Sequence, residues 1–197
     1  DRSTGEPLPV LLYVGRFLGF KRVSLLVRAY AAARSTLGPS APPLVIWGGF
    51  PGEWEGDHPH SVVTSSGVEG VFFAGWRDHG ELSLALNAAD VFVAPSVDEP
   101  FGQVYLEAMA SGLPVIATRS GGPVSFINVD PARPNGWLVT PDDEQELAAA
   151  IVTATATSGR AEREARGRLG RAIVEREFDW RHVAQRFDTI YRDTIAA

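Results

Sequence analysis

Two carboxylates, Glu99 and Glu107, stand eight positions apart in the stretch Glu99-Pro-Phe-Gly-Gln-Val-Tyr-Leu-Glu107. The Phe101-Gly102 step between them reads as the opening of a helix. Glu99 then falls in the preceding loop and Glu107 in the first turns of the helix. Backbone N–H groups at a helix start lack intrahelical partners and attract anions, and Gly102 lets the backbone come close to a ligand. Acids beside an anion site make chemical sense if they accept hydrogen bonds from hydroxyls. A ligand with phosphates in its middle and hydroxyls on both sides, a nucleotide sugar, meets that demand. A plainer reading stays open for each acid alone: Glu107 favours a helix start electrostatically, and Glu99 is a solvated loop carboxylate.

Phosphates need cations. Arg16 directly follows a predicted strand, and Lys21 is expected to start the next helix. Arginine offers a planar fork to phosphate oxygens and lysine a compact point charge. Together they could neutralise most of a diphosphate without a metal. Otherwise Arg16 pairs with a nearby carboxylate and Lys21 is solvated. Lys21 is the only lysine beside seventeen arginines, and a lysine at a helix N-terminus is disfavoured by the helix dipole. Trp76 and Arg77 follow another predicted strand and could stack on a nucleobase; partly buried packing is the competing reading for the tryptophan. Gly121-Gly122 allow a further tight turn. His58, His60, His79 and His182 show no metal spacing, and His79 is expected to be the first helical residue after an Asp78 cap. No Asp-x-Asp pair and no Gly-x-Gly-x-x-Gly occurs, which weighs against a metal–diphosphate clamp and a nicotinamide or flavin domain.

These residues are positioned by alternating strands and helices. Val10–Val14 is a continuous apolar run, as in a parallel strand buried on both faces. Residues 15–20 form a loop, and Lys21 to Ala33 has helical spacing at Leu25, Leu26, Ala29 and Tyr30. Further strands are expected at 44–47, 71–74, 91–94, 114–117 and 137–139. Residues 50–61 read as an irregular surface loop. Asp78 with Glu81 is a capping box for a helix to about Ala89. A helix follows Gly102 to about Ser111, another opens at Pro141-Asp-Asp-Glu144, and two more cover 160–177 and 181–195. The mixed-sign Arg/Glu run at 160–177 reads as a solvated face. The expected fold is a doubly wound, Rossmann-like α/β domain with a parallel sheet of about six strands, helices on both faces and a helical C-terminal tail. In such a sheet Gly15, Gly48, Gly75 and Ser96, each just past a strand, mark the ligand edge. Arg16, Lys21, Trp76 and Glu99 should share it.

A chain of 197 residues with 45% hydrophobic and 21% charged residues is one ordinary globular domain. The net charge of −6 argues against nucleic acid or an anionic membrane as the main partner. The absence of cysteine excludes disulfides, thiol catalysis and thiolate metal sites. There is no apolar run of membrane-span length and no signal-peptide pattern. The polar lead Asp1-Arg-Ser-Thr-Gly-Glu-Pro7 reads as a linker over residues 1–8 from a missing N-terminal domain, with one domain over 9–197.

The chain resembles the C-terminal, donor-binding domain of retaining glycosyltransferases of family 4 (group 1), which have the two-domain GT-B fold. The resemblance covers about Pro9 to Ile195. It is carried by Val14-Gly-Arg-Phe-Leu-Gly-Phe-Lys21, Ile46-Trp-Gly-Gly49, Val71-Phe-Phe-Ala-Gly75, Ala89-Asp-Val-Phe-Val-Ala-Pro-Ser96, Glu99 to Glu107, Ala110-Ser-Gly-Leu-Pro-Val115 and Asn135-Gly-Trp-Leu-Val139, in that order and spacing. It implies sugar transfer from a nucleoside diphosphate sugar to an acceptor hydroxyl with retention, without metal or other cofactor, in the cytoplasm. Arg16 and Lys21 would hold the diphosphate, Glu99 a sugar hydroxyl and Glu107 the ribose. Backbone N–H groups around Phe101-Gly102-Gln103 would contact sugar or phosphate, and Gly15 and the loop Gly75-Trp76-Arg77 would lie near the donor. The implied partners are the nucleotide sugar, an acceptor glycan, lipid or small molecule, and an N-terminal domain of the same chain, through which the protein could also touch a membrane. Nucleic acid is not among them. Where many relatives have Gly-Gly-x-Pro-Glu, this chain has Gly121-Gly-Pro-Val-Ser125, so no glutamate role carries over. The rival readings are a GT-B-shaped nucleotide-sugar epimerase and a non-catalytic nucleotide-binding or scaffolding domain.

Overall fold

The computed structural model describes residue 5 and residues 7–196, with the side chain of Ala196 left out. Most of the expected linker, residues 1–4 and 6, lies outside the described residues. Six strands form one all-parallel sheet: β1 (Leu11–Gly15), β2 (Leu44–Gly48), β3 (Val71–Gly75), β4 (Val91–Ala94), β5 (Val115–Thr118) and β6 (Gly136–Val139). Their order is β3-β2-β1-β4-β5-β6. This is the doubly wound order, in which the chain reverses direction between β1 and β4 and leaves a crevice beyond their carboxyl ends.

Among the described residues there are seven α-helices, α1 (Val23–Leu37), α2 (Pro59–Ser66), α3 (Leu82–Asn87), α4 (Gln103–Ala110), α5 (Glu144–Thr155), α6 (Arg160–Glu177) and α7 (Trp180–Ala196), the last exposed along most of its length. The central strands β4 and β5 are buried at every residue, which is why their sequences are uninterrupted apolar runs. The edge strand β3 is only half-covered, and Phe72 is 59% exposed there. The core gathers Leu11, Leu26, Ile46, Phe92, Ile116, Met109 and Leu147 between sheet and helices.

Three expectations need correction. Lys21 does not start α1. It ends a three-residue 3-10 turn, Gly19–Lys21, and Arg22 at φ 53 separates that turn from the helix. The helix-dipole penalty expected for this lysine therefore does not act in the form argued. Residues 50–61 are not all irregular, because α2 begins at Pro59. Its N-cap His58 accepts the His60 N–H, and proline at the first helical position suits its fixed φ. The Asp78 box is half realised: its carboxylate caps Gly80, and a 3-10 turn over His79–Glu81 precedes the short α3.

Candidate functional site

The crevice beyond β1 and β4 holds Lys21 and Glu99. The Lys21 ammonium lies 2.5 Å from a Glu99 oxygen, with the side chains 14% and 11% exposed. The two loops that carry them are stitched by the Val97 N–H donating to the Phe20 carbonyl at 2.7 Å. Behind Glu99, the Gly122 N–H donates to the Glu99 carbonyl at 2.7 Å. Gly121, at φ 66, lies so close to the Glu99 backbone that a Cβ there would strike its carbonyl. Enclosed charges persist only when paired, and here each satisfies the other. An ammonium has three protons, and among the described residues Glu99 is its hydrogen-bond partner, leaving capacity toward a ligand.

Arg16 shares the β1–α1 loop with Lys21 but faces outward. Its side chain is 62% exposed and its guanidinium pairs with Glu53 at 3.2 Å. Arg16 thus follows the carboxylate-paired reading, whereas Lys21 is not solvated. The Arg16 carbonyl accepts the Tyr13 hydroxyl at 3.0 Å. Tyr105, on α4, similarly donates to the Ala94 carbonyl at 2.7 Å. Burial, first of all, pushes both hydroxyls above the ordinary phenol range, and the negative charge of Glu99 adds to it. Both phenols stay neutral donors and hold the carboxyl-end backbone of β1 and β4.

Gly102 caps α4 at φ 90 with no side-chain cap. The Tyr105 N–H donates to the Gly102 carbonyl at 3.0 Å, and the absence of a side-chain cap leaves the N–H groups of Gln103 and Val104 available, the condition for anion binding. Glu107 lies one turn further on. One of its oxygens meets His79 Nε2 at 3.3 Å and the Gln103 amide at 3.2 Å, and its side chain is 25% exposed. Phe101 is half exposed and leans on Phe126 and Phe178 at 6.4 and 6.2 Å between ring centroids.

Beyond β1, β2 and β3 a cleft of about 290 Å³ is lined by Gly15, Arg16, Trp47, Gly48, Trp76 and Arg77, among others. A Cβ at Gly48 would strike the Gly15 carbonyl, so the strand ends close up beneath the cleft floor. Trp76 is 56% exposed and meets Phe50 edge to face at 5.9 Å, so it is not a core residue. A second cavity of about 250 Å³ lies among Pro9, Asp90, Pro114 and Arg163, and none of the candidate site residues lines it.

Comparison with known proteins matches the family described as glycosyl transferases group 1 over residues 8–157. The chain belongs to the group 1 glycosyltransferases. It is 39% identical over 150 residues to the lipopolysaccharide core biosynthesis glycosyltransferase LpsE of Rhizobium meliloti, covering 76% of this chain and 40% of that one. The solved sucrose-phosphate synthase of Thermosynechococcus elongatus superimposes with a TM-score of 0.82 at 33% identity, covering 99% of this chain and 48% of that one. The Anabaena protein HepE, solved in complex with UDP-glucose, gives a TM-score of 0.79 at 26% identity over 93% of this chain and 48% of its own. The chain therefore spans less than half the length of these relatives.

Within this group 1 glycosyltransferase domain, sequence reasoning missed the residues that partner the candidates. Glu53, on Arg16, sits in a stretch read only as loop. His79 was weighed for metals and helix capping, not as a neighbour of Glu107. Tyr13 was one apolar position in a strand, although a phenol in an enclosed strand always raises the question of its hydroxyl's acceptor.

Proposed function

We propose that this chain is the donor-binding half of a retaining glycosyltransferase of family 4 with GT-B architecture, moving a sugar from a nucleoside diphosphate sugar to an acceptor hydroxyl. The observation that carries the reading is the Lys21–Glu99 contact at the switch-point crevice, beside the uncapped start of α4. The likeness to HepE, which was solved with UDP-glucose, supports a uridine donor.

In this reading the diphosphate enters between Lys21, Arg16 and the N–H groups around Phe101, Gly102 and Gln103. Arg16 exchanges Glu53 for phosphate oxygens. Lys21 and Arg16 then neutralise charge that grows on the nucleotide as the glycosidic bond breaks. Such preorganised charge, worth more in an enclosed site than in water, is the main catalytic contribution assigned to this half. Glu99 keeps one oxygen on Lys21 and turns the other to a hydroxyl of the transferred sugar. Glu107 receives the ribose hydroxyls, and the base occupies the cleft beside Gly15, Trp76 and Arg77. Charge neutralisation is assigned to the two side-chain cations, so the reading calls for no metal or other cofactor. The remainder of the longer protein would supply the acceptor site.

Calorimetric titration with UDP, GDP and ADP, repeated on Lys21→Ala, tests this. Lys21→Ala should weaken the preferred nucleotide by roughly 10- to 100-fold, about 1.4–2.7 kcal/mol. Equal, weak binding before and after the change removes lysine from the phosphate site. The 197-residue chain alone should bind nucleotide with almost no transfer, and robust turnover would refute the division of labour.

A further inference from the structure

Three residues other than glycine hold left-handed backbone among the described residues: Arg22 at φ 53, Asp98 at φ 55 and Asp142 at φ 59. Arg22 directly follows Lys21, and Asp98 directly precedes Glu99. The two strained positions therefore flank the two members of the ion pair. An L-residue reaches this conformation against its Cβ sterics, arginine more awkwardly than aspartate. It persists only where the surroundings enforce it.

The enforcement comes from two other loops. Arg22 Nε and Nη2 reach the two carboxylate oxygens of Asp142, beyond β6, at 2.6 and 3.2 Å. Arg22 Nη1 also donates to the Gly19 carbonyl at 2.7 Å, closing the turn that ends in Lys21. On the other side, the Asp98 N–H donates to the Ser120 hydroxyl, beyond β5, at 3.0 Å, and that hydroxyl donates to the Asp98 carboxylate at 2.7 Å. Each strained residue is thus held by both backbone-shaping and side-chain bonds, and neither clamp touches the Lys21 or Glu99 side chain.

We propose that Asp142 and Ser120 are positioning residues for the Lys21–Glu99 pair. By holding Arg22 and Asp98 in left-handed backbone they fix the direction in which the neighbouring side chains leave the chain, and so aim the ammonium and the carboxylate at each other. Without Asp142, Arg22 relaxes toward ordinary backbone, the turn Gly19–Lys21 opens and the lysine swings out. The consequence for donor binding rests on the function proposed above; the clamp itself does not.

Because Lys21 is the only lysine, acylation by an amine-reactive ester, read by peptide mass to separate it from the terminal amine, reports its enclosure directly. Asp142→Gly is the informative change, since glycine keeps φ 59 without strain and only the carboxylate is lost. Lys21 in folded Asp142→Gly should react roughly fivefold faster or more. Adding Arg22→Gly to that variant should restore slow labelling, because glycine holds φ 53 with no partner to enforce it. Ser120→Ala should also speed labelling, with Asp98→Gly as its rescue. An unchanged rate in Asp142→Gly, or fast labelling that the added glycine does not slow, overturns the proposal. UDP titration of the same variants separates the two readings: faster labelling with unaltered UDP affinity keeps the clamp and overturns the donor role of the pair.

Discussion

The hydroxyl of Tyr13, enclosed beneath the sheet edge, donates to the carbonyl of Arg16 three residues further along, at 3.0 Å. One buried phenol therefore fixes the peptide that presents an exposed guanidinium. Tyr13→Phe keeps the ring and removes only the donor, leaving a part-buried carbonyl unpaired. We expect a loss of about 1 kcal/mol in urea unfolding and a severalfold weaker UDP affinity by calorimetry. Unchanged affinity at reduced stability would confine Tyr13 to the core.

Glu107 offers a way to separate ribose from phosphate recognition. Its oxygen is shared by His79 and Gln103, both at exposed contacts, so Glu107→Gln should change stability by less than about 0.5 kcal/mol. UDP affinity should fall about tenfold, near 1.4 kcal/mol, while pyrophosphate affinity stays the same. A parallel loss for both ligands would place Glu107 on the phosphates instead.

Alkaline titration should expose the buried phenols. Tyr13, Tyr30 and Tyr105 all have raised pKa values, burial being the first cause in each. In the unfolded chain a tyrosine ionises near pH 10, about 1.4 kcal/mol of stability being lost per pH unit and per group that stays protonated only when folded. The folded state then holds more protons than the unfolded one. Stability is complete below pH ~10 and falls as pH rises toward the folded values. Phenolate absorbance from these three of the four tyrosines should appear with unfolding. Reversible ionisation of all of them in the folded protein near pH ~10 contradicts this.

Gly121 is held by geometry on both counts, its φ of 66 and the Glu99 carbonyl where a Cβ would stand. Gly121→Ala should destabilise by about 2 kcal/mol or more and weaken UDP binding beyond what the stability loss explains. Thermal unfolding and titration on the folded fraction would check it; a wild-type midpoint would sink the prediction.

What the sequence disclosed follows from the range of the interactions involved. Strands such as Val91–Ala94 and Val115–Thr118 are legible because burial on both faces writes continuous apolar runs. The open start of α4 is legible because glycine, helix former and acid sit within a few residues. Lys21 at a helix start was misplaced because Arg22 adopts φ 53, a conformation for which arginine gives no local warning. Its cause, Asp142, is 120 residues away. Partnerships such as Arg16 with Glu53 depend on loop paths that no periodicity encodes. The family followed from motif order more than from any one residue.

The strand order carries a consequence for synthesis. β1 leaves the ribosome before β4 but ends between β2 and β4, and Lys21 must wait for a partner 78 residues later. At ~5–20 residues per second that interval lasts several seconds. During it β2 and β3 can cover one side of β1, while the edge that will receive Val91 and Phe92 stands open. An unpaired edge of Leu11 and Leu12 invites pairing with other chains. The same reversal that makes the crevice leaves one edge of a central apolar strand open until β4 docks, so a holding chaperone should engage before residue 91 and release after it.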